Sequence, residues 1–415
     1  MPGRFAFRNL WLATTVSQVG TQISELAIPL IAIVTLHATP FQVGLLLAVE
    51  FLPIIVFSLL AGAWVDRLRR RPLLIASDLG RAVILLSIPA AHALGVLSLI
   101  QLYVAGFLVG SLSVVFDVAY QSYLPSLVDR EQLVAANSKL QVSEQGASVV
   151  GPALGGSLIS LVTAPLAVAF DAISYLASGV LLLSIRQPEP PPPRAAPAST
   201  AGVLGEIAQG IRYVVRHPVL RALVMVSGLI QFFGRIVMAV LLVYLVRDVG
   251  LSAAAIGTVF AIGGLGFVVG ALLASVVSAR LGLGRTLTVA AVLASLSPLL
   301  YAAGPRNLAG AFVAAGFFLY GVSAVTWSIN SLSLRQAVAP PAMLGRVAAT
   351  MRLFSWGLIP IGSLVGGLLG SGIGLHQTIV VGALGGLLAS LPVLLSPVRR
   401  LKRIRDDPLT QPDIA

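Results

Sequence analysis

The sequence predicts an all-α integral membrane protein of twelve transmembrane helices in two six-helix halves, and three observations carry that prediction. Only 10% of the 415 residues are charged and 57% are hydrophobic, where a soluble domain carries about 25% charged residues. Apolar runs of about 18 residues or more, enough to cross a hydrocarbon core as helices, recur twelve times. The second six runs also repeat features of the first six at a nearly constant offset.

The first six runs cover 8–36, 42–63, 73–94, 98–123, 140–162 and 165–185, and the second six cover 219–246, 254–279, 286–303, 308–334, 348–370 and 375–396. This divides the chain into an N-terminal bundle (1–185), a cytoplasmic linker (186–217), a C-terminal bundle (218–396) and a basic cytoplasmic tail (397–415). The first run is too long for a cleavable signal peptide and is read as a span. Residues 186–201 hold Pro188, Pro190 to Pro193 and Pro197, which lack amide donors and predict an extended linker. Residues 204–217 predict a short amphipathic helix at the membrane surface, with Arg212 and Arg216 on its polar side.

A shift of 213 residues places Gln18 on Gln231, Gln22 on Arg235, Ile23 on Ile236, Val43-Gly44 on Ile256-Gly257 and Arg67 on Arg280. A shift of 211 places Gly151, Gly155 and Gly156 on Gly362, Gly366 and Gly367. Transporters built of two such parallel repeats bind substrate near the bilayer midplane.

The net charge of +12 does not point to nucleic acid, because the basic residues lie between apolar runs and not on a helix with interleaved aromatics. With the N-terminus inside, nearly all of the 27 Lys and Arg fall in the even-numbered loops and both tails. The opposite side has only Arg247 and Arg306, while Arg81 and Arg235 lie within spans. The positive-inside rule therefore places both termini in the cytoplasm. There is no cysteine, and His37, His92, His217 and His376 are scattered without ligand spacing, so no disulfide, metal site or cofactor is expected. Nor is there a nucleophile set or phosphate loop, so an enzyme is not expected either.

Two motifs sharpen the reading. Residues 62–72 form a basic knot between runs two and three, with Gly62, Asp66, Arg67, Arg70 and Arg71 in the pattern G-x-x-x-D-R-x-x-R-R. This resembles the cytoplasmic loop signature of major facilitator transporters. Gly151, Pro152, Gly155 and Gly156 in the fifth run resemble the fifth-helix signature of facilitator antiporters, although the family's upstream glycine falls on Ala147. Residues 71–81, 123–137 and 210–218 resemble a bacterial exporter subgroup that includes enterobactin exporters and macrolide efflux proteins.

The resemblance implies the major facilitator fold, export by proton antiport, and a cytoplasmic gate. In that gate Asp66 would accept from the N-terminal amides of span eleven and pair with Arg352, and Asp117 can meet Arg70 or Arg71. The repeat puts Ser275 and Ala279 where the first half has Gly62 and Asp66, so the latch is expected to be asymmetric.

Ionisable residues inside spans are expensive in lipid and are functional candidates by default. Glu25 and Glu50, near the middles of spans one and two, are the preferred candidate proton-coupling groups, and Asp171 in span six is a third. The bland reading of Glu25 and Glu50 is a protonated carboxyl bonded to a neighbouring helix. Asp78 and Arg81, three apart on one helix, can pair along one face and read as structural. Arg235 can hold an anionic part of a substrate or serve as counter-ion to Glu25. With it, Gln18, Gln22, Tyr120, Gln231, Phe232, Trp327 and Asn330 are the candidate cavity lining. A large apolar cavity with a few polar groups suits bulky amphipathic ligands.

The expected function is secondary active export of such molecules, drug or siderophore, by alternating access. A lipid or lysolipid flippase and a non-transporting membrane sensor or assembly subunit are the alternatives. The expected setting is the bacterial cytoplasmic (inner) membrane, as a multi-pass monomer whose partners are membrane lipid, a small-molecule substrate and protons.

Overall fold

Each apolar run folds as a helix, because in hydrocarbon the main chain must satisfy its own hydrogen bonds. The structure, a computed structural model, describes residues 2–65, 68–129, 132–187, 200–340 and 343–401. Among these there is no strand, and twelve helical segments are long and apolar enough to cross a membrane. Asp66, Arg67, the proline-rich stretch 188–199 and the tail beyond Leu401 lie outside the described residues.

The first six spans are α1 (Pro2–Leu30, extended by a π-turn, Ile31–Thr35), α2 (Pro40–Val65), α3 (Arg70–Ala93), α4 (Leu99–Tyr123), α5 (Leu133–Val162) and α6 (Ala164–Leu183). A linker helix, α7 (Thr200–Arg216), precedes α8 (Pro218–Tyr244), which also ends in a π-turn, Leu245–Val249. Then come α9 (Ala253–Leu281), the broken ninth span α10 (Leu283–Leu296) and α11 (Leu299–Ala303), and α12 (Ala309–Val338). The chain continues through α13 (Leu344–Gly372) and the broken twelfth span α14 (Leu375–Leu387) and α15 (Leu391–Leu395). The ninth span breaks at Pro298, which has no amide to donate. The twelfth breaks across a tight turn, Leu388–Ser390.

Helix ends keep the repeat. The residue before α6, Thr163, has φ 113° and its counterpart before α14, Gly374, has φ 96°. By internal contacts the chain forms two units: Met1–Pro197 with Gly250–Ala261, and Ala198–Val249 with Ile262–Ala415.

In the first unit α1 packs on α5 and α6, α3 on α4 and α6, and α2 on α4. Leu10, Leu74, Phe116, Tyr123, Leu140 and Leu182 form a core near the chain start. Arg71 caps α6 there, donating from Nε to Leu182 O (3.0 Å) and from Nη2 to Leu183 O (2.6 Å), so that helix-end carbonyls do not go unsatisfied. In the second unit α8 packs on α13 and α14, and α10 on α12. Leu223, Leu287, Trp327, Leu334 and Met351 fill its core.

The linker helix α7 docks on the start of α13. Val214 is fully buried in the second core, Gly210 lies against Arg346 O and Thr350 Oγ1 with no room for a side chain, and Arg346 Nη1 donates to Gln209 Oε1 at 2.6 Å.

Candidate functional site

Polar side chains of four helices meet inside the first unit. On α3, Arg81 donates from Nη2 to Asp78 Oδ1 at 2.5 Å, and its Nη1 reaches Ser113 Oγ of α4 at 3.3 Å. Its guanidinium carbon lies 4.5 Å from the Phe116 ring centroid and 4.1 Å from that of Tyr175 on α6. Such stacking on aromatic faces suits the planar cation. Tyr175 in turn shares a 2.8 Å hydrogen bond with Thr21 of α1. One turn earlier on the same face of α6 is Asp171, with 1% of its surface exposed. The Ser174 hydroxyl donates to its main-chain oxygen at 2.7 Å and lies 3.2 Å from Oδ1. Both side chains press on α1 at Gly20, where a Cβ would lie 2.5 Å from Asp171 Oδ1. Asp78 (0% exposed) and Arg81 (5%) are as deeply buried as Asp171.

The glycines of α5 set α1 against this layer. Gly151 lies against the Gln22 side chain and Gly155 against Ile23, whose Cα would be 3.2 Å from an added Cβ. Their counterparts act alike in the second unit, where Gly362 meets Phe232 O and Arg235 Cβ, and Gly366 meets Ile236. The two sequence shifts thus correspond to one helix crossing built twice. Gly156 faces the other way, onto the start of α9: an added Cβ would collide with Ala253 O and lie 2.9 Å from Gly257 Cα. Ala254 N, at the head of that helix, donates to Ser160 Oγ at 3.0 Å. Small residues permit such backbone approach in membranes.

The remaining candidates are spread over both units. Glu25 is exposed and accepts from Gln22 Nε2 at 2.9 Å. Glu50 is half-buried over Gly106 of α4. Gln18 is half-buried, and its Oε1 is enclosed without a hydrogen-bond partner. Tyr120 stacks on Phe116, with ring centroids 6.3 Å apart.

On α8, Gln231, Phe232 and Arg235 are half-buried, with Phe232 edge-on to Phe233 at 5.1 Å. Trp327 sits in the second core and donates to Ser227 Oγ at 3.1 Å, and buried Asn330 donates to Thr326 O. Of the residues expected to form a gate, Gly62 lies within α2, Arg70 and Arg71 open α3, Asp117 is exposed on α4, and Arg352 lies over Trp356 at 5.7 Å. Among the described residues no group of three or more His, Asp or Glu is placed to hold a metal ion.

Sequence reasoning paired Asp78 with Arg81 and named Asp171 only as a third candidate after Glu25 and Glu50, and it missed Gly20, Thr21, Ser174 and Tyr175, which lie between Asp171 and the pair.

The sequence model of the Major Facilitator Superfamily matches residues 10–362 and 224–412. The chain belongs to that superfamily. It is therefore a multi-pass membrane transporter and not an enzyme. The transporter is 26% identical over 408 residues to the enterobactin exporter EntS of Escherichia coli O1:K1 / APEC, covering 97% of this chain and 94% of the relative. The enterobactin exporter EntS of Shigella boydii serotype 18 is 26% identical over 410 residues, with the same coverage of 97% and 94%.

Among solved structures, a bacterial homologue of the iron transporter ferroportin in its inward-facing state matches with a TM-score of 0.76 at 18% identity, over 94% of this chain and 98% of that one. A bacterial homologue of the human lysosomal transporter Spinster, inward-facing and unoccupied, matches with a TM-score of 0.71 at 15% identity, over 95% and 97%. These two structures share the transporter's fold.

Proposed function

We propose that the transporter is a secondary active exporter of bulky amphipathic small molecules, a siderophore or a hydrophobic drug, driven by proton antiport through alternating access, with Asp171 as the proton carrier. The relatives named as enterobactin exporters support the direction and the substrate class. The observation that carries the coupling is the placement of Asp171, buried on α6 and pressed against α1 at Gly20. A proton gained or lost there changes the contact between two spans, and a ligand couples to a conformational equilibrium only through such differential contacts. Glu25, exposed beside Gln22, and the half-buried Glu50 serve in this reading as contacts for substrate or a second cation.

The basic run 62–71 serves as the cytoplasmic gate, together with Asp117 and Arg352. Gln18, Gln22, Tyr120, Gln231, Phe232, Arg235, Trp327 and Asn330 belong to the substrate-handling helices, and the glycines of α5 supply the antiporter-type crossing. The distribution of Lys and Arg supports cytoplasmic termini, and one chain with two halves suffices, as a monomer.

Proteoliposomes holding a pH-sensitive dye and given enterobactin, erythromycin or ethidium test this. At least one probe is expected to move against an opposite proton flux. Asp171→Asn is expected to abolish that flux while probe exchange continues. Full pH-gradient-driven transport in Asp171→Asn would refute the carrier, and absence of any probe movement in the native protein would refute export of this ligand class.

A further inference from the structure

The buried ion pair of the first unit has no equivalent in the second, although the repeat builds the same helix packing there. A shift of 213 carries Asp78 to Ala291, Arg81 to Ala294 and Gly20 to Phe233, and a shift of 211 carries Asp171 to Gly382, Ser174 to Gly385 and Tyr175 to Gly386. In the second unit the Phe233 ring fills the space over Gly385, and Phe233, Ala294, Gly382 and Gly386 line a small apolar cavity with Tyr320. An apolar set therefore completes this layer. The fold does not require charge, and a buried ion pair is at best a weak stabiliser relative to apolar residues of similar volume. Charge inside a span points to function.

We propose that Arg81 is a positioning residue for proton exchange at Asp171, a fixed cation clamped by Asp78 and by the Phe116 and Tyr175 rings. This rests on Asp171 being the carrier. A carboxyl alone in a low-dielectric interior keeps its proton, and a fixed positive charge nearby stabilises the ionised form, so that both states become accessible. Asp78 holds Nη2 and the two rings fix the guanidinium plane, so the cation cannot swing away as a lysine would. The Tyr175 ring, one turn from Asp171 on α6, carries Arg81 on one side and is tied to α1 through Thr21.

The other charged groups around Asp171 are few. Glu25 on α1 and Arg81 on α3 act on it electrostatically. Asp78 pairs with Arg81 and Asp117 of α4 also acts on Arg81, while Lys139 and Glu144 of α5 precede Gly151, the first glycine against α1, by twelve and seven residues. The released proton passes between the Asp171 carboxyl and solvent, with no other group consumed.

The test is the pH-difference infrared spectrum of the reconstituted full-length protein, read at the carboxyl C=O band. Asp171→Asn is expected to remove one pH-dependent band. If that band persists, the carrier reading itself fails. The double variant Asp78→Asn/Arg81→Gln removes both charges and leaves no lone buried ion, so it tests Arg81 without the penalty of an unpaired charge. It is expected to displace the midpoint of the Asp171 band by about one pH unit or more. An unmoved midpoint means that Arg81 is only a structural staple; this overturns the inference and leaves the carrier reading intact. If the double variant does not fold, Arg81→Lys decides. Its cation lacks the fork and the stacking plane, so a displaced midpoint is expected and an unmoved one overturns the proposal.

Discussion

Gly20 of α1 and Asp171 of α6 are in direct contact, with Oδ1 of the aspartate 2.5 Å from the place a Cβ would take and the Ser174 hydroxyl in the same space. Gly20→Val therefore has to push α6 away or turn the carboxyl out of its layer. Overpacking of this kind costs about 1–3 kcal/mol. A lower Tm in detergent is expected, with Gly20→Ala between Gly20→Val and the native protein. An unchanged Tm for Gly20→Val would mean that α1 and α6 are further apart than described.

Thr163 makes the opposite case. It turns the chain between α5 and α6 at φ 113°, ψ 155°, a region essentially reserved for glycine that strains other residues by about 1–3 kcal/mol. The second half has Gly374 at this point. Thr163→Gly is expected to raise stability by about 1 kcal/mol after the added freedom of the unfolded chain is counted. Thermal melts of the two proteins check it.

Arg71 belongs to the basic run of the sequence, yet in the first turn of α3 its guanidinium binds the end of α6. Arg71→Ala removes two charge-assisted bonds to Leu182 O and Leu183 O, and a loss of about 1.5–3 kcal/mol follows for a charged donor. Arg71→Lys should recover only part of it, since one ammonium does not reproduce the fork. Denaturation of the three proteins side by side measures this.

The docked linker helix gives a local prediction. A leucine at position 210 cannot fit against Arg346 O, 2.9 Å from a Cβ there. Gly210→Leu should release α7 from α13, and amide exchange over 208–216 should rise by an order of magnitude or more, about 1.4 kcal/mol of lost protection per factor of ten. Protection unchanged from the native protein would show that Gln209, Arg346 and Val214 do not hold the helix.

The sequence made the number of spans, their pairing into halves and the pairing of Asp78 with Arg81 legible, because hydropathy, a constant offset and helical spacing are one-dimensional signals. Helix rotation is not such a signal. Nothing in the order of residues shows that Trp327 turns into a core while Glu25 stays exposed, or that Gly20 and Ser174 face each other across two spans. One signal was available: the 211 shift that aligns the glycines of α5 and α13 also sets Asp171 on Gly382, marking the carboxyl as something the fold does without. The basic run 62–72 reads in sequence as part of a gate, and Arg71 has a second use as a helix cap that only the meeting of α3 with α6 reveals.

The small pocket bordered by Phe233, Ala294, Gly382 and Gly386 bears on how the chain can change. At the aligned positions the first half carries Gly20, Arg81, Asp171 and Tyr175, so a substitution among apolar residues on the second side alters volume alone, whereas one on the first side alters charge as well. Matched positions of the two halves should therefore tolerate mutation unequally.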